Sequence, residues 1–279
     1  MCVVNSTLYD KNQVLSIRLS ADGFSFSMFD PSGKQPFLYT SVPVDPSISL
    51  TANIKQTLAV NEDLHSENFA RTIILLDTPR WTVVPQNVFE EEQAEILYKQ
   101  CHNITPGEKV LYNVSDCTNS VILFAMEQVA WHLLQELWPG AIVYAAITPI
   151  VHHLALKTKN TISSTSRKVY VCQSRRAVDV VVLDHGMPLL LNTYQCRNMA
   201  DCCYYALNMW KQLELNQETD ELYVIGGNPA NEELSATLRV FIKNTTVVSP
   251  VAEFNRSEVA AYDGVPYDML TLLHSIRNL

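Results

Sequence analysis

Side chains with chemical potential occur in this 279-residue chain as short pairs and triplets. His152-His153 is the one pair of adjacent histidines, and it lacks the glutamate of a zinc-binding HExxH motif. Cys202-Cys203 lies in a stretch with helical periodicity, where neighbouring side chains point about 100° apart. We therefore predict ordinary polar contacts for the two histidines and core packing for the two cysteines, rather than a metal site or redox chemistry.

Three further patterns fall in predicted turns or strand ends. Asp184-His185-Gly186 has residues suited to acid/base work, but the same types form tight hairpins, and we interpret them as a turn. Arg175-Arg176 is interpreted as an exposed basic turn, with anion binding as the alternative. Gly226-Gly227 follows an apolar strand, where glycines let either a ligand or the next helix approach the backbone closely.

The motifs and the overall charge exclude several classes of protein. GxSxG, Walker A and GxGxxG are absent, which removes the usual motif evidence for a hydrolase, a P-loop enzyme or a Rossmann enzyme. A formal net charge of −9 supplies no basic field for a phosphate backbone. No apolar run approaches the roughly 18 residues that cross a bilayer. We expect a folded cytoplasmic protein that binds neither nucleic acid nor membrane and keeps its seven cysteines reduced and buried.

The elements that must position these residues follow from the apolar patterning. The first part predicts three strands, a helix and a buried strand, at residues 14–19, 24–29, 36–42, 49–60 and 72–76. A strand at 81–84, a helix at 89–101, strands at 109–114 and 121–124, a helix at 127–137 and a strand at 141–147 come next. A helix from Thr148 to about Thr158 then leads into the polar stretch 157–167, which we predict to be a linker or a long exposed turn.

The second part repeats the order of the first. Strands at 168–172, 178–183 and 189–194 precede a helix at 199–213 and a buried strand at 222–225. A helix at 229–240, a strand at 245–248 and a helix at 266–276 complete the chain. The repeated order of three strands, helix and strand suggests an internal duplication.

This order resembles the actin, Hsp70 and sugar-kinase superfamily, whose two ribonuclease-H-like halves each begin with a three-stranded meander. The second half is most similar to the actin-fold proteins of bacterial pilus and secretion assembly. The phrases WTVVPQNVFEEE and VPYDMLTLLH resemble an uncharacterised bacterial family with an actin-like ATPase fold. The resemblance implies an α/β fold of two halves, residues 1–160 and 161–279, each with a mixed five-stranded sheet flanked by helices.

Members of this superfamily that hydrolyse ATP have two Asp-x-Gly phosphate loops, which orient Mg²⁺ and admit the phosphates. At the first position the chain reads Ile17-Arg18-Leu19-Ser20, and Asp22-Gly23 beyond it is predicted to be hairpin chemistry. At the second position it reads Cys172-Gln173-Ser174. Both positions lack the carboxylate that the resemblance would require.

A third point of similarity is a glycine pair near adenosine, which Gly226-Gly227 matches. The resemblance thus implies a candidate cleft formed by Ser20, Ser174, Arg175, Gly226 and Gly227. Phosphoryl transfer depends on positioning and on metal-assisted charge stabilisation, so losing both carboxylates should remove most of it. We therefore predict a protein without catalytic residues, metal or cofactor that acts through contacts with a protein partner, with a cleft that is small or altered.

Two alternatives remain at this point. The first is an ATP-binding phosphotransferase or ATPase in which unconventional acids such as Asp22, Asp179 or Asp184 hold the metal. The second is an assembly subunit that forms oligomers or filaments. Binding of Mg-ATP separates the first alternative from the non-catalytic hypothesis, and dependence of light scattering on concentration tests the second.

Overall fold

The computed structural model describes residues 13–61, 64, 69–160, 166–173, 177–226, 229–262 and 264–277. Along these residues the strands are β1 (Val14–Ser20), β2 (Gly23–Phe29), β3 (Leu38–Val42), β4 (Arg71–Leu76), β5 (Trp81–Pro85), β6 (Glu108–Ser115), β7 (Ser120–Glu127), β8 (Ile142–Ala145), β9 (Lys168–Gln173), β10 (Ala177–Asp184), β11 (Met187–Gln195), β12 (Glu221–Ile225) and β13 (Asn244–Val248). The α-helices are α1 (Leu50–Val60), α2 (Ala94–Lys99), α3 (Gln128–Leu137), α4 (Ile147–Lys159), α5 (Met199–Gln212), α6 (Pro229–Leu238), α7 (Pro250–Glu253) and α8 (Tyr267–Arg277). None of the described helices is both long and apolar enough to span a bilayer.

The first five-stranded sheet has the order β3-β2-β1-β4-β8. Strands β1 and β2 are antiparallel and pair from Val14 with Phe29 to Ser20 with Gly23, which confirms the predicted hairpin around Asp22. Strand β1 also pairs in parallel with β4, so it is central and almost entirely buried. Because successive side chains alternate between faces, Leu15 packs into one core and Val14 into another on the opposite side of the sheet.

The second five-stranded sheet repeats this arrangement in the order β11-β10-β9-β12-β13. The connection between β10 and β11 consists of His185 (φ 50°) and Gly186 (φ 80°). A two-residue hairpin with a type I′ turn requires a positive φ at both of these positions. This confirms that Asp184-His185-Gly186 forms a turn. Two meanders, each followed by two parallel strands, confirm the predicted duplicated α/β fold with mixed five-stranded sheets.

Helix α4 and the last helix connect the two parts of the molecule. Residues of α4, including Val151 and Leu154, share one core with Val181 of β10 and with the first sheet. Helix α8 packs instead on the far face of the first sheet, where Met269 contacts the cluster that contains Val14. The division into residues 1–160 and 161–279 stays a prediction. Helix α8 belongs to the second of these ranges but packs on the sheet of the first.

Two elements differ from the predictions made from the sequence. The linker predicted at 157–167 overlaps the end of α4, which continues to Lys159: Thr158 is buried, and its hydroxyl lies 3.0 Å from the Tyr170 hydroxyl. Residues 161–165 of that stretch lie outside the described residues. The helix predicted at 89–101 is shorter, with a single 3₁₀ turn at Glu91–Gln93 before α2. Strands β5, β7 and β6 form a separate three-stranded sheet, and α2 packs on it.

Candidate functional site

A cleft of about 400 Å³ lies between the two five-stranded sheets. Its walls include Ser20 at the end of β1, Gln173 at the end of β9 and Gly226 directly after β12. Strand β1 runs parallel to β4, and β9 runs parallel to β12, so the cleft collects the carboxyl ends of the parallel strands. This edge is where α/β sheets bind ligands, which makes the cleft the candidate functional site.

An ion-paired arginine occupies the first-sheet side of the cleft. Arg18 donates from Nε to Asp268 Oδ2 at 2.7 Å and from Nη2 to Asp77 Oδ2 at 2.8 Å. The Asp268 side chain is only 7% exposed, whereas that of Asp77 is 37% exposed. Burial raises the pKa of Asp268, and the adjacent Arg18 charge opposes that rise. The guanidinium therefore neutralises a buried carboxylate that water does not solvate.

Ser20 completes this first-sheet network. Its hydroxyl donates to Asp77 Oδ2 at 2.9 Å, and it accepts from the backbone N–H of Asp22 at 3.3 Å. The second bond closes the β1–β2 turn over the serine. Ser20 thus lines the cleft as predicted, but its hydroxyl is bonded within the protein.

On the second-sheet side, Asp179 of β10 faces the same cleft. It is partly exposed, and its carboxylate accepts a hydrogen bond from the Thr193 hydroxyl. Burial raises the pKa of Asp179 to about 7; the Thr193 bond opposes the rise, and the negative charges of Asp77 and Asp268 add to it. Asp179 is accordingly an acid that changes charge near neutral pH, opposite the paired acids of the first sheet.

Close packing of α6 against the end of β12 requires a glycine at position 226. Its φ is 124°, and a Cβ built there would lie 2.1 Å from Asn231 Nδ2 of α6. Asn231 is 1% exposed, so its side chain has little room to move away. The glycine lets the helix after β12 pack tightly on the strand end, which is one of the two roles considered for it.

Replacing Gly226 by alanine should lower the free energy of unfolding by about 1–2 kcal/mol in the absence of any ligand. Chemical denaturation of the variant measures the loss. As a matched control, Asn231→Ala in the Gly226→Ala background should recover the part of the loss that comes from the steric overlap. A Gly226→Ala variant as stable as the wild type would contradict the packing role.

The structure describes only two of the five predicted site residues. Ser20 and Gly226 line the cleft together, whereas Ser174, Arg175 and Gly227 lie outside the described residues. Sequence reasoning did not single out Asp77 or Asp268. A signal existed for Asp77, because it directly follows the buried strand β4 at its carboxyl end. Asp268 had none, since it reaches the cleft only through the packing of α8.

The three acids named for the alternative metal site do not all line the cleft. Asp22 and Asp179 line the cleft, but Asp184 lies in the β10–β11 turn, 3.9 Å from Arg167 Nε. Within the part of the chain that the structure describes, no group of three or more His, Cys, Asp or Glu side chains is arranged to hold a metal ion.

The remaining candidates have structural explanations. His153 Nε2 lies 3.0 Å from Glu253 Oε1, and His152 Nδ1 lies 3.2 Å from the sulfur of Cys117, which agrees with the polar contacts predicted for them. Cys202 and Cys203 are buried in the core under the second sheet, as predicted. The expectation of buried cysteines is wrong for Cys101, which is exposed because it follows the short helix α2 rather than lying inside it.

Comparison with known proteins is consistent with this architecture. A protein from Bacteroides thetaiotaomicron with an actin-like ATPase fold and unknown function is 34% identical in sequence, over 98% of this chain and 99% of that chain, with a TM-score of 0.83. The PilM–PilN type IV pilus biogenesis complex matches at 12% identity over 96% of this chain and 99% of that chain, with a TM-score of 0.59. At that identity, the second similarity shows the fold alone.

The sequence also matches a protein family. No curated protein matches the chain. Residues 5–245 match DUF3822, a family described as protein of unknown function. This chain has the actin-like ATPase fold and belongs to the DUF3822 family.

Proposed function

We propose that this protein is a non-catalytic member of the actin-like ATPase superfamily that acts in the cytoplasm through contacts with other proteins. The observation that carries the proposal is the position of Arg18 at the end of β1, bonded to both Asp77 and Asp268. Where the resemblance places an Asp-x-Gly loop, the chain thus has a cation that repels Mg²⁺. Both acids nearest to it are already ion-paired with the arginine, which competes with a metal for them.

A role in protein contacts is supported by the fold. The PilM–PilN complex is an assembly of an actin-fold protein with a partner protein, and this chain is similar to it over nearly its full length. The net charge of −9 favours a protein partner over nucleic acid.

Titration with Mg-ATP tests the non-catalytic part of the proposal. We expect no change in the thermal unfolding of the full chain at millimolar Mg-ATP or Mg-ADP and no phosphate release. Binding to the folded state at a hundred times Kd would instead add about 2.7 kcal/mol to the free energy of unfolding. A stabilisation that disappears in Asp179→Asn would favour the alternative, an enzyme in which that acid serves the metal.

Crosslinking in cells tests the part of the proposal that concerns protein contacts. The tagged full chain is crosslinked in its host, purified under denaturing conditions and identified with its partners by mass spectrometry. We expect the same crosslinked partner with the wild type and with Asp179→Asn, because nucleotide turnover is not needed for the contact. Recovery of the chain without a reproducible partner, or only as crosslinked copies of itself, would contradict the proposal.

A further inference from the structure

A second cavity, of about 740 Å³, lies away from the cleft and shares none of its lining residues. It is bounded by the first sheet, the turn after β6, and helices α4 and α8. Most of its wall is apolar, with side chains from Ile73, Ile142, Tyr144, Leu156, Leu272 and Ile276. Cys117 and His152 lie together in this wall.

The two side chains come from elements that the fold brings together. Cys117 lies in the 3₁₀ turn Asp116–Thr118 between β6 and β7, and His152 lies on α4. The Cys117 sulfur is 3.2 Å from His152 Nδ1 and 3.4 Å from the Ser115 hydroxyl. Lys159, two turns further along α4, donates to the Cys117 carbonyl and adds a positive charge beside the turn. Cys117 is neither fully buried nor fully exposed, so a small molecule in the cavity can reach its sulfur.

The surroundings favour the ionised form of the pair. Burial raises the pKa of the Cys117 thiol, but hydrogen bonds from His152 and Ser115 and the charges of His152 and Lys159 outweigh it, and the net pKa is lowered. The bond to Cys117 raises the pKa of His152 in turn. Other charged or titratable groups around the cavity are Arg71, Asp116, His153, Lys157 and His274.

The other cysteines among the described residues do not share this environment. Burial raises the pKa of Cys172 and of Cys196, which makes both thiols poor nucleophiles. Cys101 is exposed, and its sulfur accepts a hydrogen bond from the Thr82 hydroxyl at 3.5 Å. It serves as an internal reference for an accessible thiol outside the cavity.

We propose that Cys117 and His152 are a nucleophilic pair that accepts an acyl group from a thioester whose acyl chain fits the apolar cavity. The Cys117 thiolate attacks the carbonyl carbon and forms a new sulfur–carbon bond, and the bond between that carbon and the departing sulfur breaks. The His152 imidazolium gives its proton to the departing thiolate. The products are S-acyl Cys117 and a free thiol, so the step needs neither an oxidant nor a metal.

Alkylation kinetics test the nucleophile. With iodoacetamide at pH 7 and peptide mapping by mass spectrometry, we expect Cys117 to react severalfold faster than Cys101, because the contacts with His152 and Ser115 lower the pKa of the Cys117 thiol. Its rate should still be substantial below pH 8, whereas an ordinary thiol loses reactivity below its pKa of about 8.5. The wild-type pH profile needs no variant, so a folding defect cannot obscure it.

Substitution of the histidine identifies its role. His152→Gln should slow alkylation of Cys117 severalfold, because it removes the contact that lowers the pKa of the thiol, while the matched change His132→Gln on α3 should leave the rate unaltered. Thermal unfolding confirms that both variants are folded. Equal rates and equal pH profiles for Cys117 and Cys101, or a change of less than about twofold in His152→Gln, would overturn the nucleophilic pair.

Acyl transfer is tested with the hexanoyl thioester of N-acetylcysteamine. We expect a thioester adduct on Cys117, release of an equal amount of free thiol, and no such adduct in Cys117→Ser. The acetyl thioester, whose acyl group lacks the apolar chain, should react more slowly because it forgoes contact with the apolar side chains of the cavity. An adduct absent from Cys117, or formed equally on Cys101, would overturn the proposal.

Discussion

Replacing Arg18 by methionine is expected to lower the free energy of unfolding by about 3–5 kcal/mol at pH 7. Methionine keeps much of the packing volume but leaves Asp268 without its partner, and the Asp268 side chain is 7% exposed. A buried carboxylate without a counter-charge must either stay ionised at a large cost or take up a proton. Chemical denaturation with linear extrapolation measures the loss.

Two variants separate the ion pair from other effects of the substitution. In Arg18→Met with Asp268→Asn, the unpaired charge is gone, so the double variant should be clearly more stable than Arg18→Met alone. Lys99→Met is the control at the surface, because the side chains of the Lys99–Glu95 pair are 54% and 62% exposed. That change should cost only about 1 kcal/mol. A cost below about 1 kcal/mol for Arg18→Met, or no recovery in the double variant, would show that Arg18 does not neutralise Asp268.

Replacing Asp179 by asparagine is expected to stabilise the protein at pH 8 by about 2–3 kcal/mol and to have little effect near pH 4. The pKa of this acid is about 7 in the folded state against an ordinary value of 3.8. Between these values the folded state holds one more proton than the unfolded state, so the free energy of unfolding falls by up to about 1.4 kcal/mol for each unit that the pH rises. Asparagine is uncharged, retains an acceptor for Thr193 and removes this fall. Water in the cleft screens the carboxylate, which is why we expect less than the full shift would give.

Denaturation of both proteins from pH 4 to pH 8 measures this difference. Asp184→Asn is the control for loss of one negative charge on the same strand, since Asp184 lies in the hairpin turn beside His185. It should show no comparable pH dependence. The difference in free energy of unfolding between wild type and Asp179→Asn should change between pH 4 and pH 8. An equal difference at both pH values would contradict a raised pKa for Asp179.

The charges on the two sides of the cleft affect one another. Asp179 on the second sheet faces Asp77 and Asp268 on the first, and their charges raise its pKa. Protonation of Asp179 near neutral pH therefore reduces repulsion between the two sides of the cleft. If the Arg18 and Asp179 variants behave as expected, Arg18 and the protonation of Asp179 both reduce the repulsion among the acids of the cleft.

Most of the fold was predictable because its signals are local. Alternating or continuous apolar residues mark the strands, and Asp-Gly and His-Gly mark the hairpins after β1 and β10. Serine is a common residue type at the start of a helix, and the Ser49 hydroxyl before α1 accepts from the Ala52 N–H at 3.2 Å. The predictions were less accurate at ambiguous element ends: the linker was predicted from Lys157, whereas α4 continues to Lys159, and the Thr158 hydroxyl lies 3.0 Å from the Tyr170 hydroxyl.

The candidate site was less predictable than the fold. Ser20 and Gly226 were named from the family resemblance, and both line the cleft, while their role in binding stays a prediction. The pairing of Arg18 with Asp268 was not predicted, since the two residues are 250 positions apart and no periodicity relates them. The same holds for Cys117 and His152, which a turn and a helix bring within 3.2 Å.

By itself, the sequence determined the order of strands and helices, the duplicated architecture and the lack of an Asp-x-Gly motif at either strand end. These features depend on residue type and on spacing over a few positions, which the chain states directly. Only the tertiary structure decided which charges meet. Packing of α8 on the first sheet carries Asp268 to Arg18, and burial at that contact, rather than any motif, determines the ionisation of the acids in the cleft.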